Sequence, residues 1–184
     1  MGNNLFEPIL DKNEKILKVY KPDTKRAWFG TIAVVLLTAL WLIPAIVVSF
    51  CAGGEAISTA IMLLVFGVLF LICPIIMVAL WCNKTIYAVT DKRIIIRTGY
   101  IGVDFKSLNY NMLGAITVNV GLWDKILRRN TGTISFGSMS SPLTNQGGAK
   151  FTFAYIVDPY KTNKEISSII DKYHDNKTDS NKIA

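Results

Sequence analysis

Residues 27–54 read AWFGTIAVVLLTALWLIPAIVVSFCAGG, and residues 56–83 read AISTAIMLLVFGVLFLICPIIMVALWCN. Neither stretch contains Asp, Glu, Lys, Arg or His, and Glu55 alone separates them. About 20 apolar residues in helical form cross the hydrocarbon of a bilayer. The pair therefore predicts a transmembrane hairpin with helices over about 28–50 and 57–81. Gly53-Gly54 supplies the turn. Pro44 and Pro74 lie inside the two helices, where proline predicts kinks. Trp28 and Trp81 stand at the ends that a hairpin brings to one side, and indole rings prefer that interfacial level. Ala56 and Ala60 are spaced to let two helices approach closely. Trp41, mid-span, is expected to pack against lipid or the partner helix.

Charge orients the hairpin. The formal net charge is +7. In a soluble chain this would raise nucleic acid as a partner. Here six of the 20 Lys and Arg precede the hairpin and fourteen follow it. Cations gather on the cytoplasmic side of membrane proteins. The expected address is the cell membrane, multi-pass, with both termini cytoplasmic and no nucleic-acid partner. The charged lead is too long for a signal peptide, and Phe6 stands where a myristoylation pattern needs Ser or Thr. Cys51, Cys73 and Cys82 all fall in or beside the hairpin, away from metal-ligand spacing, so neither a disulfide framework nor a zinc site is expected.

After Asn83 the pattern changes to short strands. Thr85–Thr90 and Arg93–Arg97 flank an Asp91-Lys92 turn, and Thr98-Gly99 ends the second run. Tyr100–Phe105 begins a third strand, with Ser107–Asn111 as a fourth or a continuation. Ala115–Val120 alternates, with Ile116, Val118 and Val120 on one face. Gly132–Phe136 and Phe151–Val157 complete the set, and Met139–Ala149 is a loop by composition. Many short strands predict a small barrel or sandwich. Thr162 and Glu165 fit a capping box for a final helix. Ile166, Ile169, Ile170 and Tyr173 form its apolar stripe. The apolar knot Ile16-Leu17 and Val19-Tyr20 is either a strand of this domain or a turn near the headgroups. The expected organisation is a cytoplasmic N-terminal segment at 1–26, the hairpin at 27–83, the strand domain at 84–174 and a disordered tail at 175–184.

The order of these elements resembles the bacterial pleckstrin-homology (PH)-like membrane protein family. Residues 87–99, YAVTDKRIIIRTG, look like its hallmark: an aromatic strand ending in Thr-Asp, a basic residue, then an aliphatic strand closing on Gly. Asp11–Leu17 is similar to the family's opening, where a Glu precedes an aliphatic pair. Asn111–Val118 and Gly132-Thr133-Ile134 stand where the family has two later strands. The resemblance implies an α+β membrane protein: a two-helix hairpin followed by a PH-like barrel or sandwich with a C-terminal capping helix. It also implies an open groove beside that helix. Thr90-Asp91 reads independently as a turn cap, and Gly99 as a position needing glycine's backbone freedom. Asn130-Thr131 departs from the family, which often has an apolar residue and Gly there. The hairpin Thr90-Asp91-Lys92-Arg93 is shorter than the basic hairpin of phosphoinositide-binding PH domains, so inositol phosphate recognition does not carry over.

Catalytic chemistry finds few footholds. The one His, His174, reads as a solvated side chain at the end of the last helix, and no nucleophile–base pair, metal cluster or phosphate loop is apparent. No enzyme activity, cofactor or metal is expected. Residues 122–129, LWDKILRR, have mixed character. As an interfacial helix, Trp123, Lys125, Arg128 and Arg129 would meet anionic headgroups, each cation adding about 1 kcal/mol near the surface. As a turn closing the strand domain, the same segment would bury Trp123 in the core. The expected function is a non-enzymatic membrane-anchored module that binds a protein, peptide or lipid headgroup. Membrane lipid and other membrane proteins, or further copies of the chain, are its expected partners. The alternative is a small accessory subunit of a transport or envelope-maintenance complex.

Overall fold

A computed structural model describes residues 5–51, 57–126, 130–139 and 151–183. The chain divides into two compact units, Thr24–Asn83 and a second made of Met1–Asp23 with Lys84–Ala184.

The first unit is helical. Helix α1 spans Thr24–Cys51 and α2 spans Ile57–Lys84, with Pro44 and Pro74 inside them. Within these, Thr24–Pro44 and Ile61–Lys84 have mean hydropathies of 2.0 and 3.1. Both are long and apolar enough to cross a membrane by length and composition. Leu37, Leu40 and Phe70 turn large apolar side chains outward. In water each such side chain costs about 25 cal/mol per Å² of exposed apolar surface, whereas lipid accepts it. The helices approach closely at Gly67, where a Cβ would lie 2.7 Å from Leu42 Cδ1. The expected turn at Gly53-Gly54 and the approach residue Ala56 lie outside the described residues, as do the side chains of Ala60 and Trp41.

The second unit contains two antiparallel sheets. One has the order β1-β2-β3-β4, from Ile16–Tyr20, Ile86–Thr90, Arg93–Thr98 and Asp104–Asn109. The other has the order β5-β6-β7, from Leu113–Asn119, Thr131–Ser138 and Phe151–Val157. A 3₁₀ turn, Tyr110–Met112, links them. Short helix α3 spans Leu122–Ile126, and α4 spans Pro159–Ile183. Two sheets and a C-terminal helix agree with the expected PH-like architecture.

The core follows strand periodicity. Tyr87 and Val89 of β2 and Ile94 and Ile96 of β3 point to one face. There they meet Leu108, Ile134, Phe136, Phe153 and, from α4, Ile166 and Ile170. Tyr87 stacks on Phe153 with ring centroids 4.4 Å apart. Its hydroxyl also accepts from Ala154 N at 3.0 Å, so a buried phenol keeps a partner. Ile86, Ala88 and Ile95 point to the opposite face, where Phe6, Leu10 and Ile16 cover them. All five residues of β2 are consequently buried.

Several expectations are corrected. The N-terminal segment is no separate piece: β1 pairs with β2, joining Val19 to Ala88 and Tyr20 to Tyr87. Of the two readings of the apolar knot, the strand is the one observed. Tyr100–Phe105 is not a strand throughout; β4 starts at Asp104 and runs unbroken to Asn109. The polar tail continues α4 to Ile183 where disorder was expected from Asp175 onward. Thr162 and Glu165 form no capping box. The helix starts three residues earlier at Pro159, whose missing N–H and fixed φ suit a first helical position. Thr162 lies within the first turn, donating its hydroxyl to Val157 O at 3.3 Å.

Candidate interaction sites

The sharpest polar constellation is structural. Glu14, buried, accepts Arg93 Nε at 2.9 Å on Oε1 and Arg93 Nη2 at 2.7 Å on Oε2. Thr90 Oγ1 lies 2.7 Å from Glu14 Oε1 and 2.8 Å from Arg93 O. One hydroxyl proton serves one acceptor at a time, and the carboxylate is the stronger. The same Oγ1 accepts the backbone N–H groups of Lys92 and Arg93, which is the turn cap expected of Thr90. Asp91 Oδ1 accepts Lys15 N at 3.1 Å. Burial alone would raise the Glu14 pKa; the hydrogen bonds from Arg93 and Thr90 outweigh it and hold the carboxyl below the ordinary glutamate value. These residues fasten the N-terminal segment to the β2–β3 turn. Their donors and acceptors are mutually engaged, which suits a latch.

A second polar node pins α4. Lys18 Nζ donates to Glu165 Oε2 at 2.6 Å, and Tyr20 Oη donates to the same oxygen at 3.2 Å. Lys18 holds the Glu165 carboxyl below its ordinary range, while burial and then the Glu165 charge push the Tyr20 phenol up. Beside this node a groove of about 430 Å³ opens between β1 and α4. Leu17, Ile169 and Tyr173 give it apolar walls; Lys172 and Asp91 stand in its lining. A smaller cavity of about 270 Å³ lies on the other flank of α4, between Leu113, Ile116 and Ile170. A groove beside the last helix is thus present.

The segment singled out by sequence is only partly described. Asp124 is buried and accepts Thr131 Oγ1 at 2.7 Å on one oxygen and Gly121 N at 3.2 Å on the other. This inward anchor turns its neighbours Leu122 and Trp123 outward; Trp123 is 57% exposed. The reading that buries Trp123 in the core is therefore corrected, and Lys125 is also exposed. Arg128 and Arg129 lie outside the described residues. Thr131 and Asn130, the departure from the family pattern, are both used. Thr131 holds Asp124, and Asn130 Nδ2 donates to Asp158 Oδ1 just before α4. His174 is exposed as expected, its ring against Tyr173. Among the described residues no group of His, Cys, Asp and Glu is placed to hold a metal ion.

Sequence reasoning did not assign Glu14 its role or find Phe6. A signal existed for Phe6: β2 and β3 are apolar on alternating and intervening positions alike, so their outer face needs a cover. No match is found to any curated protein or solved structure. A family profile described as Bacterial PH domain matches residues 17–168. That span runs from β1 into α4 and takes in both units, so the chain belongs to the bacterial PH domain family.

Proposed function

We propose that this protein is a non-enzymatic binding module, anchored in the cell membrane by α1 and α2 with its domain and both termini on the cytoplasmic side. The absence of Lys and Arg between residues 27 and 83, and their abundance on both flanks, support the orientation. The outward apolar side chains of both helices support the anchoring. One observation carries the binding reading: the groove between β1 and α4, about 430 Å³, with Leu17 and Ile169 along it and charged groups beside them. Pockets that pair apolar walls with a few placed polar groups suit ligand capture. The occupant is an apolar segment of a protein or peptide partner. Function resides in a site rather than in a fold, so the groove itself is the place to test.

A photo-reactive residue placed at Lys172 of the full-length chain, irradiated in native bacterial membranes, is expected to give a discrete protein adduct. Leu17→Arg, at an exposed position, is expected to reduce that adduct several-fold. An adduct unchanged by Leu17→Arg, or none at all, overturns the groove reading.

A further inference from the structure

The domain carries exposed apolar side chains in two places beyond the groove. Gly99–Val103, joining β3 to β4, presents Tyr100, Ile101 and Val103, with Ile101 87% exposed. Helix α3 presents Leu122 and Trp123. Gly99 has φ 154° and approaches Gly102 so closely that a Cβ would meet its carbonyl oxygen at 2.3 Å. The loop is tight at its base, and its intervening side chains are exposed.

Hydrogen bonds fix which end of the domain these residues occupy. Lys84 is the first domain residue after the chain leaves the helical unit, and its Nζ donates to Ile101 O at 2.6 Å. Asp23 is the last domain residue before α1, and its N–H donates to Tyr155 O of β7 at 2.7 Å. Val157, two residues on, pairs with Thr131, which donates to Asp124 of α3. The β3–β4 loop is thus held directly at one point where the chain enters the domain, and α3 is linked to the other through β7 and Thr131. The other end holds the Thr90–Arg93 turn and the Tyr110–Met112 turn, tied by Tyr110 N to Lys92 O at 3.3 Å.

We propose that the β3–β4 loop and α3 form a seating rim in which Tyr100, Ile101, Leu122 and Trp123 enter the headgroup–acyl boundary of the membrane that α1 and α2 cross. The occupant is that lipid surface because the chain itself delivers the rim to it: Lys84 ends the apolar span and holds Ile101. The composition suits the boundary. Aromatic and aliphatic side chains sit at its apolar side, and the cations Lys84 and Lys125 reach its anionic side. The rim rests on the reading that the helices span, and is independent of the groove beside α4.

Site-directed spin labelling of the full-length chain in phosphatidylcholine vesicles tests it. In a background with its three cysteines replaced by Ala, nitroxides are attached singly at Ile101→Cys, Leu122→Cys, Met112→Cys and Phe70→Cys. All four native side chains are exposed, so the labels leave the core alone. The Ile101 and Leu122 labels are expected to collide several-fold less with an aqueous nickel chelate than the Met112 label, and more with oxygen. Equal chelate access at Ile101, Leu122 and Met112, with Phe70 shielded, overturns the rim while leaving the span intact. Chelate access at Phe70 removes the span, and the rim falls with it. Protection at Ile101 that fades as protein is diluted in lipid marks a second copy as the occupant and also overturns the proposal.

Discussion

Arg93 grips Glu14 through two hydrogen bonds across 79 positions of sequence, at 2.9 and 2.7 Å. One residue lies before the apolar helices and the other after them, so the pair joins two chain segments separated by the whole helical unit. The Glu14 side chain is fully buried and that of Arg93 is 16% exposed. Arg93 Nη2 also donates to Ile9 O at 2.9 Å, so one guanidinium holds a side chain and a backbone carbonyl of the N-terminal segment.

Glu14→Ala should lower the stability of the domain by about 3 kcal/mol, the low end for removing one partner of a buried pair, because Arg93 retains some solvent. Denaturant unfolding of the full-length chain in detergent, followed by near-ultraviolet circular dichroism, measures it. A change under about 0.5 kcal/mol, the range of ordinary surface substitutions, would contradict the latch.

The same pair predicts a pH dependence. The Glu14 carboxyl titrates lower in the folded chain than its ordinary 4.5. The unfolded chain therefore binds its proton first as pH falls. The stabilisation is whole above 4.5 and is lost as pH drops through the folded value. Glu14→Gln should flatten that acid limb of the stability profile and leave the shape above pH 6 or so unchanged.

Residues 84–184 expressed alone should not reach the native fold. That fragment lacks β1, the Phe6, Leu10 and Ile16 cover, and Glu14. Its β2 would become an open edge, a template for aggregation. Fusing residues 5–23 back to it through a flexible linker should restore dispersed amide proton resonances. A well-dispersed spectrum from 84–184 alone would show that the N-terminal segment is dispensable.

Gly99→Val should destabilise the domain by about 2 kcal/mol or more, since φ 154° is strained for a side chain and the added Cβ meets the Gly102 carbonyl at 2.3 Å. Gly102→Ala, where a Cβ meets nothing within 4 Å, is the matched control and should change little. Thermal melts of the two variants in the same detergent make the comparison.

Gly67→Leu should loosen the α1–α2 contact by forcing Leu42 aside, an overpacking cost of about 1–3 kcal/mol. The distance between spin labels on the two helices should lengthen, while the near-ultraviolet signal of the domain keeps its transition. Gly67→Ala asks only the flexible tip of Leu42 to move and should have a smaller effect.

Much of this architecture is legible in the chain, because its signals are local. The absence of charge from residues 27–54 and 56–83 marks α1 and α2 without reference to any partner. Thr90-Asp91-Lys92-Arg93 marks the β2–β3 turn because a side-chain cap acts within three residues. Alternation marks Ile116 and Val118, which do pack on the core. The start of α4 at Pro159 is not legible for a related reason. Thr162 and Glu165 have the spacing of a cap, but Glu165 is taken by Lys18 and Tyr20 from a strand nearly 150 positions away.

What the sequence determined by itself is therefore the type of α1, α2, β2, β3 and the β5–β7 strands, the presence of a final helix, and the family pattern, since these rest on composition and on spacings of a few residues. Tertiary structure alone decided that residues 5–23 complete the domain, that Asp124 turns Trp123 outward, and which side chains line the groove beside α4. These outcomes depend on which distant groups satisfy a buried carboxylate or cover an apolar sheet face. Periodicity announces that such a partner is needed; only packing in three dimensions selects it.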